Sequence, residues 1–415
     1  MLIEFIDGGV CAPKGFKASG VHCGIRKNKS KKDLSLIVSD VICTAAAVYT
    51  QNKVKGAPVA ITKEHLKDGK ARAIICNSGN ANTCAPNGAE IAVKTCELLA
   101  KELSVSPADI IVCSTGVIGL PMSIEPFEKG IPKLVKKLSY DGSDKAAHGI
   151  MTTDTIKKEF AISVNIGGRE CHIGAIAKGS GMIHPNMATM LCYITTDAAI
   201  TSEMLQKALS NDIQDTFNQL SIDGDTSTND TVAILANGLA GNAVIDKEGE
   251  AYDTFCAALN VITSAIVKAL ARDGEGASKL LECIVSGAPD KKTARIASKS
   301  VITSSLFKSA MFGRDANWGR ALCAIGYSDA EFDVGNVDVA LASAQGVIEV
   351  CKGSAYCSFS EEDAVKILSE DEIKIIISLN QGDAQATAWG CDLTYDYVKI
   401  NGDYSSYKMN EGLII

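Results

Sequence analysis

The chain has 415 residues, 46% hydrophobic and 22% charged, which excludes a disordered, collagen-like or coiled-coil protein. Its net charge of −8 argues against a nucleic-acid surface, which needs clustered Lys and Arg. No apolar run reaches the roughly 18 residues of a membrane span, and Glu4 and Asp7 stand where a signal peptide carries Lys or Arg.

In chain order, Arg72 to Cys76 predicts a short strand ended by NSGNAN. Gly88 to Leu103 places Ile91, Cys96, Leu99 and Leu103 at helical spacing. Asp109 to Cys113 reads as a strand ended by STG. Phe160 to Asn165 and Glu170 to Ala175 alternate about Gly167-Gly168, a hairpin signal. Thr189 to Thr196 is apolar almost throughout, a strand buried on both faces. Thr201 or Ser202 caps a helix expected to reach about Leu220.

A second long helix is expected over Ala251 to Arg272, stopped by Asp273-Gly274. Strands return at Leu280 to Val285 and Val337 to Leu341, with a last set at Val347 to Cys351, Ile373 to Leu379 and Ala384 to Ile400. The pattern is α/β and layered, with sheets covered by helices and hairpins too frequent for a purely parallel sheet. No Pro/Gly/Ser linker divides the chain. The 15 Cys are scattered and odd in number, without a CxxC pair, and predict buried reduced thiols in a cytoplasmic protein.

Five segments are dense in Gly, hydroxyl and small polar residues: NSGNAN (77–82), CSTGVIG (113–119), KGSGMIHPNMATML (178–191), DGDTSTNDT (223–231) and DGEGASK (273–279). Gly-rich turns after strands are common, but five in one chain suit a ligand site built from gathered loops. Thr115 and Gly116 read as an oxyanion hole, fixed donors meeting charge on a carbonyl oxygen. Thr189 reads either as a plain β-branched strand residue or, after a cut before it, as a nucleophile. Its free α-amine, of pKa roughly 7.7–8.0, would then serve as base to its own hydroxyl. Glu275 reads as a buried carboxylate facing an amine. His22, His65, His148, His172 and His184 show no metal spacing, so no metal site is expected.

KGSGMIHPNMATML strongly resembles the self-cleavage and nucleophile segment of the ornithine acetyltransferase (bifunctional glutamate N-acetyltransferase) family of arginine biosynthesis. NSGNAN, STGVIG, MTTDT (151–155), DGDTSTNDT, DGEGASK, GRDANWGR (313–320) and INGDY (400–404) follow in the family's order across nearly the whole chain. The resemblance implies a helix–sheet–sheet–helix sandwich with a second α/β domain. It implies self-cleavage between Ala188 and Thr189 into intertwined chains, 1–188 and 189–415, that pair as an α2β2 heterotetramer.

The implied reaction is ping-pong. Thr189 takes acetyl from N2-acetyl-L-ornithine and passes it to L-glutamate, with no bound cofactor, and acetyl-CoA serves some members as donor. By the same resemblance Thr115 and Gly116 form the oxyanion hole, and Thr152, Lys178, Thr189, Glu275 and Asn401 contact substrate. Ser406 stands where the family ends in Thr, and the tail YKMNEGLII follows it. His184 replaces a frequent Ala, Ser278 a common Thr, and Pro86 is unusual in its turn. The alternatives are a self-processing aminopeptidase-like amidohydrolase, which releases acetyl to water, and an unprocessed amino-acid-binding protein.

Overall fold

The computed structural model describes residues 2–184 and 190–403. Its strands are β1 (Ile3–Ile6), β2 (Phe16–Val21), β3 (Leu34–Tyr49), β4 (Lys70–Asn80), β5 (Ile110–Val117), β6 (Lys158–Ile166), β7 (Arg169–Lys178), β8 (Leu191–Thr196), β9 (Leu220–Ser221), β10 (Thr231–Ala236), β11 (Leu280–Ala288), β12 (Asp338–Ser343), β13 (Gly346–Lys352), β14 (Ala355–Tyr356), β15 (Glu372–Ser378) and β16 (Ala384–Cys391). The helices are α1 (Ala57–His65), α2 (Gly88–Leu103), α3 (Glu125–Lys136), α4 (Ser143–Ile150), α5 (Ser202–Asp215), α6 (Glu250–Arg272), α7 (Lys291–Thr303), α8 (Ser305–Gly313), α9 (Trp318–Gly326), α10 (Glu361–Leu368) and α11 (Tyr395–Gly402).

The first sheet runs β1-β6-β7-β8-β10-β3-β4-β5, with β2 also on β3. β3 is the joint. Its first half pairs with β2 and β4, its second half with β10, and its register against β4 shifts between Val38 and Cys43. The sheet thereby folds over on itself, and alternate side chains of single strands fall into different apolar layers. Cys192 and Ile194 of β8 join the layer under α5 and α6. Leu191 and Tyr193 join a middle layer with Ile74 and Cys76 of β4. Ala73 and Ile75 of β4 face the third layer, beneath α2 and α3. The order is helix, sheet, sheet, helix, and β8 is buried on both faces as its composition predicts.

The α6 helix, 23 residues long, is apolar and long enough to cross a membrane by composition alone. Here it lies on β6, β7 and β16 and buries Phe255, Leu259, Ile262, Ile266 and Leu270, each contributing about 1.5–3 kcal/mol. The second sheet runs β14-β13-β12-β15-β11-β16-β9. Its own core sets Leu281, Cys283, Ile375 and Ile377 against Ala297 and Val301 of α7. Its edge strand β9 lies in the chain between β8 and β10 of the first sheet, so the chain passes between the two bodies more than once and no single linker separates them. Strands from both sides of residue 189 share the first sheet: β8 pairs with β7, and β10 with β3.

Several expectations shift. The NSGN and STG residues do not end their strands: β4 continues to Asn80 and β5 to Val117, paired in parallel as Ser78 with Thr115 and Gly79 with Gly116. The first long helix stops at Asp215, because Thr216 (φ −122°, ψ −93°) leaves helical geometry and Leu220 joins β9. The expected final strand ends at Cys391, and residues 395–402 are helical. There the Thr394 hydroxyl accepts the Tyr397 N–H and caps the turn, a local signal that outweighs the alternating pattern. All 15 Cys are free thiols, nine of them buried.

Candidate active site

One 320 Å³ cavity is lined by Thr115, Gly116, Thr152, Lys178, Glu275 and Asn401, which are all the expected site residues that fall within the described chain. Thr153, Gly181, Met182 and Ser227 complete much of its wall. Thr189, Ala188 and Ser406 lie outside the described residues. A 30 Å³ recess beside the cavity is lined by Thr115, Lys178, Asp230 and Met190, the residue that follows Thr189. A roomier cavity of 630 Å³ lies on the other side of the 273–279 loop and holds none of the expected residues.

The β5 strand presents Thr115 and Gly116. Gly116 has φ +132°, and a Cβ there would sit 2.3 Å from the Gly79 carbonyl carbon, so only glycine lets the two backbones meet. Lys178 ends β7, is 9% exposed, and reaches the Thr115 hydroxyl at 3.4 Å. Burial pushes its ammonium below the usual range, and Asp154 pulls it back up. The Thr152 N–H donates to Asp154 at 2.9 Å, and the Thr153 and Ser180 hydroxyls meet at 2.7 Å.

The 273–279 loop enters from the end of α6. Its Glu275 N–H donates to the Ser180 carbonyl at 2.8 Å. The Glu275 carboxylate rests over Gly181, where a Cβ would lie 2.4 Å from its Cδ. Glu275 is half-buried, and its side-chain partner is the Asn401 amide at 2.9 Å. Among the described residues no Lys, Arg or His closes an ion pair on it. The Ser278 hydroxyl, in place of a Thr, holds Asp392.

The chain on either side of residues 185–189 is pinned. Asp223 accepts from the backbone N–H groups of Met182 (2.5 Å) and Ile183 (2.9 Å), and from the Tyr397 hydroxyl at 3.3 Å. The Thr226 hydroxyl donates to the His184 carbonyl at 2.8 Å, and His184 Nδ1 meets the Ser221 hydroxyl at 3.0 Å. Met190 accepts from the Thr231 N–H at 3.0 Å. Nearby, Asn229 ties the Ala81 and Ser114 carbonyls (2.6 and 3.0 Å), and burial drives the Asp230 carboxyl well above the usual range.

Behind the cavity lies a buried ionic cluster of Lys158, Asp154 and Asp273. Asp273 falls inside one of the five segments dense in small polar residues, and Asp154 inside MTTDT, which the family resemblance singles out. Lys158 gives no such signal, because it follows the half-exposed Lys157 and nothing in the sequence separates the two.

A buried ammonium and a carboxylate across a small hydroxyl-lined cavity suit a small substrate bearing both an amine and a carboxylate. Fold and site together suit an α/β enzyme acting on a small molecule, with Thr115 and Gly116 as its candidate oxyanion hole. The sequence pattern of the ArgJ family matches residues 17–406. The arginine biosynthesis bifunctional protein ArgJ of Caldanaerobacter subterraneus subsp. tengcongensis is 47% identical over 403 residues, 97% of this chain and 100% of its own length. The corresponding ArgJ 1 of Clostridium acetobutylicum is 48% identical over 392 residues, 94% of this chain and 96% of its own. A crystal structure of the bifunctional protein argJ from Bacillus halodurans is 45% identical with a TM-score of 0.48, covering 51% of this chain and 97% of that one. The chain belongs to the ArgJ family, and it is an acyltransferase of arginine biosynthesis.

Proposed function

We propose that this enzyme carries acetyl from N2-acetyl-L-ornithine to L-glutamate through an acetyl ester of Thr189. The observation that carries the reading is the gathering of Thr115, Gly116, Thr152, Lys178, Glu275 and Asn401 around one cavity next to Met190. Cleavage between Ala188 and Thr189 frees the Thr189 amine. That amine takes the hydroxyl proton as Oγ attacks the acetyl carbonyl, and Thr115 and Gly116 hold the resulting oxyanion. Collapse breaks the C–N bond, and the ornithine amine leaves with the proton. The glutamate amine then attacks the ester, and its lost proton returns to Thr189 as the hydroxyl reforms. Lys178 pairs with a substrate carboxylate and Glu275 with the side-chain ammonium of acetylornithine, while the attacking glutamate amine is neutral; Thr152, Asn401 and Ser406 complete the contacts.

The cleaved chains, 1–188 and 189–415, stay joined through the sheet they share, and in this reading two such pairs assemble as α2β2. Fifteen free thiols suit a reducing cytoplasm. Acetyl-CoA is a second donor in this reading. The test supplies acetylornithine with labelled glutamate and follows both products. Stoichiometric N-acetylglutamate and ornithine are expected. Free acetate in place of acetylglutamate points to the hydrolase alternative and contradicts the reading.

A further inference from the structure

Three loops of the candidate site converge on one buried ammonium. Lys158, 1% exposed, opens β6. Its Nζ donates to Asp154 Oδ1 at 2.6 Å, to the Gly179 carbonyl at 3.1 Å and to the Asp273 carboxylate. Asp154 also accepts from the N–H groups of Thr152 (2.9 Å) and Gly179 (2.7 Å). Asp273 accepts from the N–H groups of Thr155 (3.1 Å) and Ile156 (3.3 Å) and from the Thr155 hydroxyl. The loop of Thr152, the residue after Lys178 and the loop of Glu275 are thus tied to the same three charges. Burying such charges costs several kcal/mol per ion, and an apolar cluster of similar volume often stabilises a fold as well. Stability alone does not account for charges at this place.

The charge balance gives a second reason. With Lys178 the buried cluster holds two Lys and two Asp, net zero. The groups facing Lys178 are Asp154 from the loop before β6, Lys158 at the first residue of β6, Asp230 just before β10 and Cys76 from β4, with Asp273 behind Lys158. Burial favours the neutral form of Asp230, which leaves Asp154 as the anion nearest in effect. Asp154 itself is pushed up by burial, but Lys158 and Lys178 outweigh this and hold it at about 2.

The geometry points to Asp154, Lys158 and Asp273 as positioning residues of this enzyme: they fix the loops of Thr152, Lys178 and Glu275 and set the charge state of Lys178. The inference rests on the reading of Lys178 as a substrate-facing cation. Its signature is a pair of opposite effects. Asp154→Asn removes an anion and lowers the pH at which Lys178 loses its proton. Lys158→Met removes a cation and raises it.

The experiment is competitive labelling of the full chain with acetic anhydride across pH, with Lys178 read by mass spectrometry. It needs no turnover, because only the neutral amine reacts. The Lys178 curve is expected to move by about one pH unit, down for Asp154→Asn and up for Lys158→Met. Unmoved curves, or shifts of the same sign, overturn the inference. Circular dichroism checks folding. Asp273→Asn replaces an unfolded Asp154→Asn and must shift the curve downward; Lys158→Gln replaces an unfolded Lys158→Met and must shift it upward. Acetyl transfer is assayed on the same wild-type preparation. Its absence there contradicts the proposed function, while the labelling curves still decide the charge inference.

Discussion

The Asn401 amide donates to the Glu275 carboxylate at 2.9 Å, joining α11 to the loop that leaves α6. The same amide also donates to the Tyr397 carbonyl at 3.1 Å, which fixes its side chain on the helix. Glu275 is therefore held by a neutral donor, and in the proposed reading its carboxylate meets the substrate cation. Asn401→Ala removes the donor and leaves the anion. The KM for acetylornithine should rise roughly three-fold to ten-fold, about 0.7–1.4 kcal/mol and within the range of one ordinary hydrogen bond, with a smaller change in kcat. Steady-state kinetics check this, and an unchanged KM shows that the contact does not orient Glu275 for binding.

Gly116 and Gly181 should fail differently on gaining a methyl group. Gly116→Ala meets the backbone of Gly79 and Asn80 in a positive-φ conformation, so it should lower the melting temperature and also abolish most transfer. Gly181→Ala meets first the Glu275 carboxyl, the end of a side chain that can swing aside. It should keep nearly the wild-type melting temperature and raise KM. Thermal unfolding beside kinetics separates the two, and equal destabilisation of both variants contradicts the distinction.

His184 gives a pH dependence of stability. Burial lowers its pKa from 6.5 to about 4, so the folded protein holds it neutral while the unfolded chain protonates it near 6.5. Between those values the unfolded state binds more protons, and stability from this site falls as pH drops from 6.5 toward 4. His184→Gln removes that loss. Denaturant unfolding should show the variant gaining on the wild type as pH falls through this window. A difference independent of pH contradicts the assignment.

Thr189→Ala should remain one chain and lose transfer, because in the proposed mechanism one hydroxyl serves cleavage and catalysis. Thr189→Ser should keep both at reduced rates, since Ser lacks the β-methyl that stiffens χ1. Gel mobility and the transfer assay read the two steps separately. Full transfer by the Ala variant removes Thr189 from the mechanism.

The sequence makes α2, the β6–β7 hairpin, α6 and the two-sided burial of β8 legible, because apolar spacing alone determines which face each residue meets. It hides the ends of β4 and β5: Gly79 and Gly116 look like turn residues, but they are paired in parallel, Gly116 leaving room for the Gly79 backbone and Gly79 for the Arg26 side chain. It also hides the helix over residues 395–402, whose Thr394 cap is a single local contact. The motifs bring Thr115, Gly116, Thr152, Lys178, Glu275 and Asn401 forward, and the fold gathers them. Lys158 stays invisible, because burial of a charge depends on partners as far away as Asp273, which no local pattern specifies.

The most direct test of the account is the intact mass of freshly expressed protein under denaturing conditions. The account predicts two species, 1–188 and 189–415, whose masses sum to the full chain plus one water, the larger beginning at Thr189. A single full-length species that still moves acetyl from acetylornithine to glutamate would contradict it.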